Sequence, residues 1–460
     1  MTVRHGRSRA GVGAVGAIAL AFVMAMAGAA CGSAQTSVPE PKPTKTVPPA
    51  TAVAPSPTRA IPTAGPSPTV PPRIAATIVS TDPFAACKYS GSGTVTRGGT
   101  YEPSAAIGGP TGGRLMVALY YQGYIKREGM NGGLGFVLAS SRDGGSTWTD
   151  HPIPFGACAG KRHLDAVSNG RVAVGPDGTT YVATAVGDGI SPIRLVLTAS
   201  PDGGQSWTVP TIETMKSDVC HADEPSVTAD PASPGRAYAV WTDACWPQHS
   251  FLGISTTSDG GKTWTKARDV SLAPYSWVNW PTIVADPGSP GTLHLVFSDC
   301  KNGSSTSYTV VAASSSDGGA TWGSPVIVAK GPGGYGPDPS AALAPDGSLY
   351  VAWDTSQGLS MSESTDAGRD WSPARTVATT SERPSLAISS SGVLAIAFEP
   401  NSMILSSDRG QTFSEPEPFS DLGVPAGFAG DYTIASLADG TDFHAVFECT
   451  IKDTTSTCFW

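Results

Sequence analysis

From Pro83 onward, apolar and polar positions alternate with a period of two in short runs rich in β-branched and aromatic residues, each closed by a turn containing Gly or Pro. That pattern predicts half-buried strands joined by hairpins. One inner hairpin recurs, opening on an acid, a Pro or both, then an alternating stretch, a Gly turn and an apolar run such as Leu349-Tyr350-Val351-Ala352-Trp353. It is found at Glu102–Tyr120, Asp165–Val186, Glu224–Trp241, Pro281–Phe297, Asp338–Trp353, Arg383–Phe398 and Asp431–Phe447.

A second repeat follows six of these hairpins: SRDGGSTW (Ser141–Trp148), SPDGGQSW (Ser200–Trp207), TSDGGKTW (Thr257–Trp264), SSDGGATW (Ser315–Trp322), STDAGRDW (Ser364–Trp371) and SSDRGQTF (Ser406–Phe413). This is the Asp box, and its residue types describe a hairpin turn. The carboxylate accepts backbone N–H groups, Gly supplies a positive φ, and the aromatic ring packs beside the turn. Asp143, Asp202, Asp259, Asp317, Asp366 and Asp408 are spaced 59, 57, 58, 49 and 42 residues apart, a period suited to a four-stranded propeller blade. Five boxes hold a single acid and STDAGRDW holds two, with no ligand cluster in any, so the motif reads as a structural turn and not as a calcium site.

Seven hairpins against six boxes predict an all-β, seven-bladed β-propeller of four-stranded antiparallel blades. The last blade lacks a box, and the segment Pro83–Thr100 is expected to supply its outer strand and close the ring. The alternative is a six-bladed ring capped by the first or last hairpin.

The repeats resemble those of the sialidase family, and the resemblance covers the repeat domain as a whole. In propellers of that kind the residues just before the innermost strands converge on the mouth of the central channel. Here they are Glu102, Asp165, Glu224, Trp280, Asp338, Arg383 and Asp431, five of them acidic, with Asp223 beside them. Crowded carboxylates raise one another's pKa or take up a cation, so a structural cation in the channel is one reading. Capping of backbone N–H groups or contact with channel water is the other. No further cofactor is expected.

The resemblance also implies roles. Gly430-Asp431-Tyr432-Thr433-Ile434 looks like the family segment carrying a nucleophilic Tyr, and Asp223-Glu224-Pro225-Ser226 looks like the one carrying the Glu that activates it. Tyr432 would then attack the anomeric carbon and Glu224 would take its proton. The sequence departs from the family in its arginines. No Phe-Arg-Ile-Pro motif opens the domain, Trp241-Thr242-Asp243 stands where an arginine would follow, and only Arg383, with Arg162 and Arg127 in loops, is available for a carboxylated sugar. Each lost charged hydrogen bond is worth roughly 1.5–3 kcal/mol, so ordinary sialidase activity is not expected. His163 and His221 each precede an acid by two residues, which is no metal-binding motif.

The amino-terminal region adds an address. Arg4, Arg7 and Arg9 precede an uncharged stretch from Ala10 to Ala30, which predicts an export signal over residues 1–30 and competes with a single membrane span. Ala27-Gly28-Ala29-Ala30-Cys31 resembles a bacterial lipoprotein signal with Cys31 as the acylated residue, apart from Gly28. Between Cys31 and residue 82, twelve prolines fall from Pro39 to Pro72, and positions 32–82 hold no aromatic residue. Such a stretch cannot bury a core and predicts a semi-rigid tether. The propeller is then residues 83–460, with all eleven tryptophans.

Loss of residues 1–30 removes three positive charges and no acid, taking the formal net charge from −9 to −12. That excludes a nucleic-acid partner and disfavours steering toward an anionic sugar. The expected protein is a monomer held to the outer face of a bacterial membrane by its lipid alone, acting as a glycan- or protein-binding module outside the cell. The alternative is an exo-acting glycoside hydrolase, a divergent sialidase using Tyr432 and Glu224. The cysteines beyond Cys31 leave their pairing open: Cys158 with Cys220 and Cys245 with Cys300 suit neighbouring loops, and any two of Cys87, Cys449 and Cys458 could join. No spacing among them resembles a zinc motif.

Overall fold

The computed structural model describes residues 77–459 apart from intervening stretches, the longest being 159–164, 214–219, 301–306, 419–432 and 437–442. The signal, Cys31, nearly all of the tether, Arg127, Arg162, His163, Asp431 and Tyr432 therefore lie outside the described residues.

The chain forms seven four-stranded antiparallel sheets. Sheet 1 runs through Thr94–Gly108, Leu115–Lys126, Gly135–Ser141 and Thr149–Pro152, and five more sheets follow in the same up-and-down order. Their innermost strands are Asp165–Val174, His221–Ala229, Val278–Ala285, Ser340–Leu343 and Glu382–Ile388. The seventh sheet is built from both ends of the chain: Thr433–Ser436, Phe443–Ile451 and Thr454–Phe459, with Thr77–Ile78 added on the outside. Successive innermost strands lie against one another, and Thr433–Ser436 meets Thr94–Gly108 of sheet 1, so the ring is closed. A closed ring of radially arranged sheets is a β-propeller.

The closing strand is not the expected one. Thr77 pairs with Phe459 and Ile78 with Cys458, whereas Thr94–Thr100 extends the inner hairpin of sheet 1 along Gln122–Lys126. Propeller structure thus begins six residues before Pro83. Val79, buried directly after the closing pair, explains the choice: it enters the apolar cluster formed with Met116, Tyr120 and Val446 between the first and last sheets.

The second strand of each sheet explains the apolar runs. Thr180–Gly187 and Leu293–Asp299 are buried along their whole length, because a strand in mid-blade is covered on both faces by neighbouring sheets. Shared clusters mark the seams, such as Leu119, Phe136, Val172 and Val196 between sheets 1 and 2, and Val296, Tyr308, Val351 and Trp353 between sheets 4 and 5.

Each Asp-box turn is tied by one repeated set of bonds. Asp143 Oδ1 accepts from Thr147 N (2.9 Å) and Ser141 Oγ (2.8 Å), while Oδ2 accepts from Thr147 Oγ1 (2.6 Å). Ser141 Oγ in turn accepts from Gly145 N at 2.9 Å. Asp202, Asp259, Asp317 and Asp408 repeat this pattern, and Asp366 takes the N–H groups of Arg369 and Asp370. These donors hold the carboxyls of Asp143 and Asp317 down at about 2. The residue after the Asp has positive φ in every turn, as Gly in four of them and as Ala367 and Arg409 (both φ 62°) in the other two.

Two disulfides are present among the described residues, Cys87–Cys158 and Cys220–Cys245. They replace the two neighbour-loop pairings expected from the sequence. Cys220 directly precedes and Cys245 ends the first two strands of sheet 3, where His221 pairs with Ala244, so the bond closes one hairpin rather than joining blades. Cys300 belongs to neither bond and is buried. The side chains of Cys449 and Cys458 lie outside the described residues.

Candidate functional site at the channel mouth

Four innermost strands carry the same local device. Glu102-Pro103, Glu224-Pro225, Trp280-Pro281 and Arg383-Pro384 each fall at a shift in strand register, and the residue before Pro has a positive φ of 51°, 46°, 53° and 49° respectively. In sheet 3, Asp223 pairs with Thr242 and Ser226 with Val240, so Glu224 and Pro225 together face Trp241 alone. That is a β-bulge, and Pro suits it because the extra residue has no ladder bond to make. A left-handed conformation is unfavourable for a side-chain-bearing residue, more so before Pro. Asp338-Pro339 stands just before the inner strand of sheet 5 without the positive φ; Asp338 N donates to Asp354 Oδ1 at 2.9 Å.

The hydroxyl residue after four of the Pro residues stitches the ring sideways. Ser104 Oγ accepts from Val172 N (3.3 Å), Ser226 Oγ from Ile283 N (3.2 Å) and Ser340 Oγ from Leu386 N (3.0 Å), while Thr282 Oγ1 donates to Pro339 O (2.7 Å). Each bond links one inner strand to the next sheet. At Glu102, Glu224 and Trp280 the motif X-Pro-Ser/Thr thus aims X by a bulge and fixes that bulge to its neighbour; the motif itself recurs at five positions in the sequence.

Glu224 is the centre of the site. Its residue surface is only 8% exposed, and Oε2 is buried with no hydrogen-bond partner among the described residues. Burial pushes its carboxyl well above the ordinary value; Asp223, Asp338 and Glu102 add to the rise, and the Arg171 guanidinium pulls the other way. Charges from sheets 1, 2, 3 and 5 thus act on one carboxyl, so Glu102, Asp223, Glu224 and Asp338 are brought together. Arg171 is the member that sequence reading missed. It sits within the inner strand of sheet 2, with Nη1 donating to Gly170 O at 3.2 Å. Its signal was available, as a single arginine inside the hairpin Asp165–Val186 before its turn.

Trp280 occupies the bulge position next to Glu224 in the ring. It is half-buried, and its Nε1 is buried without an acceptor among the described residues. Asn279 beside it accepts from Thr242 Oγ1 at 3.2 Å, tying sheets 3 and 4 at the mouth. Arg383 takes the equivalent position in sheet 6 and is exposed. Asp165 begins its inner strand, with its side chain outside the described residues. Tyr432 and Asp431 are likewise outside, so the pairing of Tyr432 with Glu224 is not tested by this geometry.

His221, half-buried, accepts at Nδ1 from Ile193 N (3.2 Å), and burial lowers its pKa. Asp243 lies close to Cys220 and Cys245, but both sulfurs belong to one disulfide, so this group supplies no thiolate ligand to a metal.

No family model matches the chain, and no curated protein matches it. Among solved structures it is similar to the α-L-arabinanase of Penicillium chrysogenum complexed with arabinobiose (14% identity, TM-score 0.48, 85% of this chain and 98% of that one). It is also similar to a Hadza microbial sialidase (15%, 0.45, 71% and 73%) and to the NanB sialidase of Streptococcus pneumoniae (11%, 0.44, 80% and 69%). Likeness at this level carries no inference about chemistry; the propeller is established by its own sheets.

Proposed function

We propose that the chain is a carbohydrate-binding propeller whose channel mouth takes a hydroxyl-rich, non-anionic glycan. The observation that carries this reading is Glu224, a buried carboxyl with an unanswered oxygen among Glu102, Asp223 and Asp338. The next bulge adds Trp280, which offers a ring face and an unanswered N–H. A sugar hydroxyl both donates and accepts, so it satisfies a carboxyl oxygen and an indole N–H together, and its apolar face suits an aromatic ring. The carboxylate excess repels an anionic sugar. Fold alone does not confer this function; the mouth residues do.

The test is a glycan array with the full chain, compared with Trp280→Ala. Retention of neutral glycans, lost in the variant, supports the proposal. Binding of sialylated glycans alone would sink it.

A second reading is favoured by one feature of the same site. A carboxyl made more basic by burial and by neighbouring carboxylates suits the proton transfers that glycoside hydrolases need. In that reading Glu224 works with Tyr432 on a glycosidic bond. Turnover of a chromogenic glycoside, abolished by Glu224→Gln and by Tyr432→Phe, would establish it in place of a pure binding module.

The proposal also places the propeller outside the cell on a proline-rich tether, as a monomer with Cys31 lipidated. Cys31→Ser should then move the protein from the membrane fraction to the medium.

A further inference from the structure

We infer that the ligand is an extended oligosaccharide rather than a single sugar, with one of its units stacked on an aromatic platform formed by Tyr101 and Tyr124 on the elongated hairpin of sheet 1. The inference rests on the carbohydrate reading above and adds a subsite to it. The inner strand of sheet 1 is 15 residues long, against 10 in sheet 2, the next longest among the described residues. Its excess lies beyond the Glu102 bulge, where Thr94–Thr100 runs along Gln122–Lys126 and the ladder breaks a second time. Thr96 pairs with Tyr124 and Thr100 with Gln122, so residues 97–99 stand opposite Gly123 alone. In a regular strand Tyr121 and Tyr124, an odd number of residues apart, would fall on opposite faces. Gly123 has a φ of 70°, and a Cβ there would sit 2.7 Å from Leu134 Cδ1, so the bend that gathers the rings is one only Gly can make. The Tyr101 ring centroid lies 5.3 Å from that of Tyr121 and 5.6 Å from that of Tyr124. Tyr121 is buried against Phe136, while Tyr101 and Tyr124 keep part of their surface open.

The platform is braced from behind. Arg97, inside the second bulge, donates to the carbonyls of Phe84, Ala85 and Cys87. Cys87 is bonded to Cys158, whose N–H donates to Leu134 O, and Ile125 exchanges both backbone bonds with Gly132. Two features fit the platform to a sugar. Tyr101 directly precedes Glu102, so the rings continue the surface of the mouth, and a chain held at Trp280 by one unit reaches them with another. Phenol rings also offer a flat apolar face with a hydroxyl at its edge and no charge, which matches the apolar face and hydroxyl rim of a neutral pyranose.

The experiment is titration calorimetry of the full chain with the disaccharide and the hexasaccharide of three neutral series, the cello-, manno- and malto-oligosaccharides, and with decaproline, since a proline-rich segment also suits tyrosine faces. In the series that binds, the hexasaccharide should bind roughly tenfold more tightly than the disaccharide. Tyr101→Ala and Tyr124→Ala should each abolish that gain and leave the disaccharide affinity unchanged, which also shows that the mouth is still folded, and Tyr124→Trp should keep the gain. Equal affinity for the two lengths, or a gain that survives both alanine variants, overturns the inference and leaves the carbohydrate reading standing. Binding of none of the sugars overturns both. Binding of decaproline alone assigns the tyrosines to a proline-rich segment and also overturns both.

Discussion

Replacing Glu224 by Gln gives a direct measure of the mouth. The amide has nearly the shape of the protonated carboxyl but cannot ionise, so the two proteins should differ only where the carboxyl is forced to give up its proton. Burial and the neighbouring acids raise the Glu224 carboxyl well above its ordinary 4.5, so the folded state holds this proton more tightly than the unfolded one. The favourable contribution is fully present below pH 4.5 and is lost as pH rises toward the folded-state value. In that window the unfolded chain gains about 1.4 kcal/mol per pH unit relative to the folded one. A carboxyl that stays protonated to pH 7 therefore makes the advantage of Glu224→Gln about 2.7 kcal/mol larger at pH 7 than at pH 5. Urea denaturation of both proteins from pH 4 to pH 8, followed by tryptophan fluorescence, reads this as a widening gap in midpoint. The pH at which the gap stops widening locates the ionisation. Two curves that stay parallel over the whole range would refute the reasoning, since they would mean that Glu224 ionises as freely as it does in water and that the acids around it do not act together.

Three further outcomes are expected. The Asp-box carboxyls hold their protons less tightly in the fold than out of it, so their contribution is present above pH 3.8 and disappears as pH falls toward 2. Acid unfolding followed by near-ultraviolet circular dichroism should be less steep in that interval for the double variant Asp143→Asn, Asp317→Asn. Ala367 holds a left-handed conformation that Gly holds in four sibling turns, so Ala367→Gly should stabilise by up to ~1 kcal/mol. Gly144→Ala, in open space but at φ 71°, should cost about 1 kcal/mol, both read from denaturation midpoints. Deleting residues 1–79 should destabilise more than deleting residues 1–76. The longer deletion strips Thr77–Ile78 from the last sheet and removes buried Val79, worth roughly 2 kcal/mol by side-chain burial alone.

The scaffold was legible because it repeats. Six Asp boxes and seven alternating hairpins each encode a local event, a turn or a strand, and repetition turns local events into architecture. The closing strand was not legible, because Thr77–Ile78 is two residues long and sits next to proline-rich chain, where no alternation can be seen. Its evidence is tertiary: a hydrophobic slot for Val79 between the first and last sheets. The disulfides failed for a related reason. Cys220 and Cys245 look like members of different loops until the hairpin register sets His221 opposite Ala244. At the mouth, Glu102, Asp223, Glu224 and Asp338 were found through their place before the inner strands. Arg171 was passed over because it stands inside a strand, beyond the bulge position that the hairpin pattern singles out.

The bulges explain how a repetitive scaffold can carry an unrepetitive site. At the Asp boxes the positive-φ position is Gly in four turns, Ala367 in one and Arg409, ion-paired to Asp346 at 3.0 Å, in another. At the mouth the same kind of conformation is held by Glu102, Glu224, Trp280 and Arg383, none of them glycine and no two sheets matching except in the two glutamates. A fold needing only a bend there would be served better by Gly, which adopts positive φ without the cost of about 1–2 kcal/mol that a side chain incurs. At Glu102, Glu224 and Trp280 the strain is tolerated because the following Ser or Thr pins the bulge to its neighbour, and what the strain secures is a side chain directed where no regular strand would place it. Conserved shape and varied chemistry thus sit one residue apart, with Pro and hydroxyl holding the ring and X supplying whatever the ligand demands.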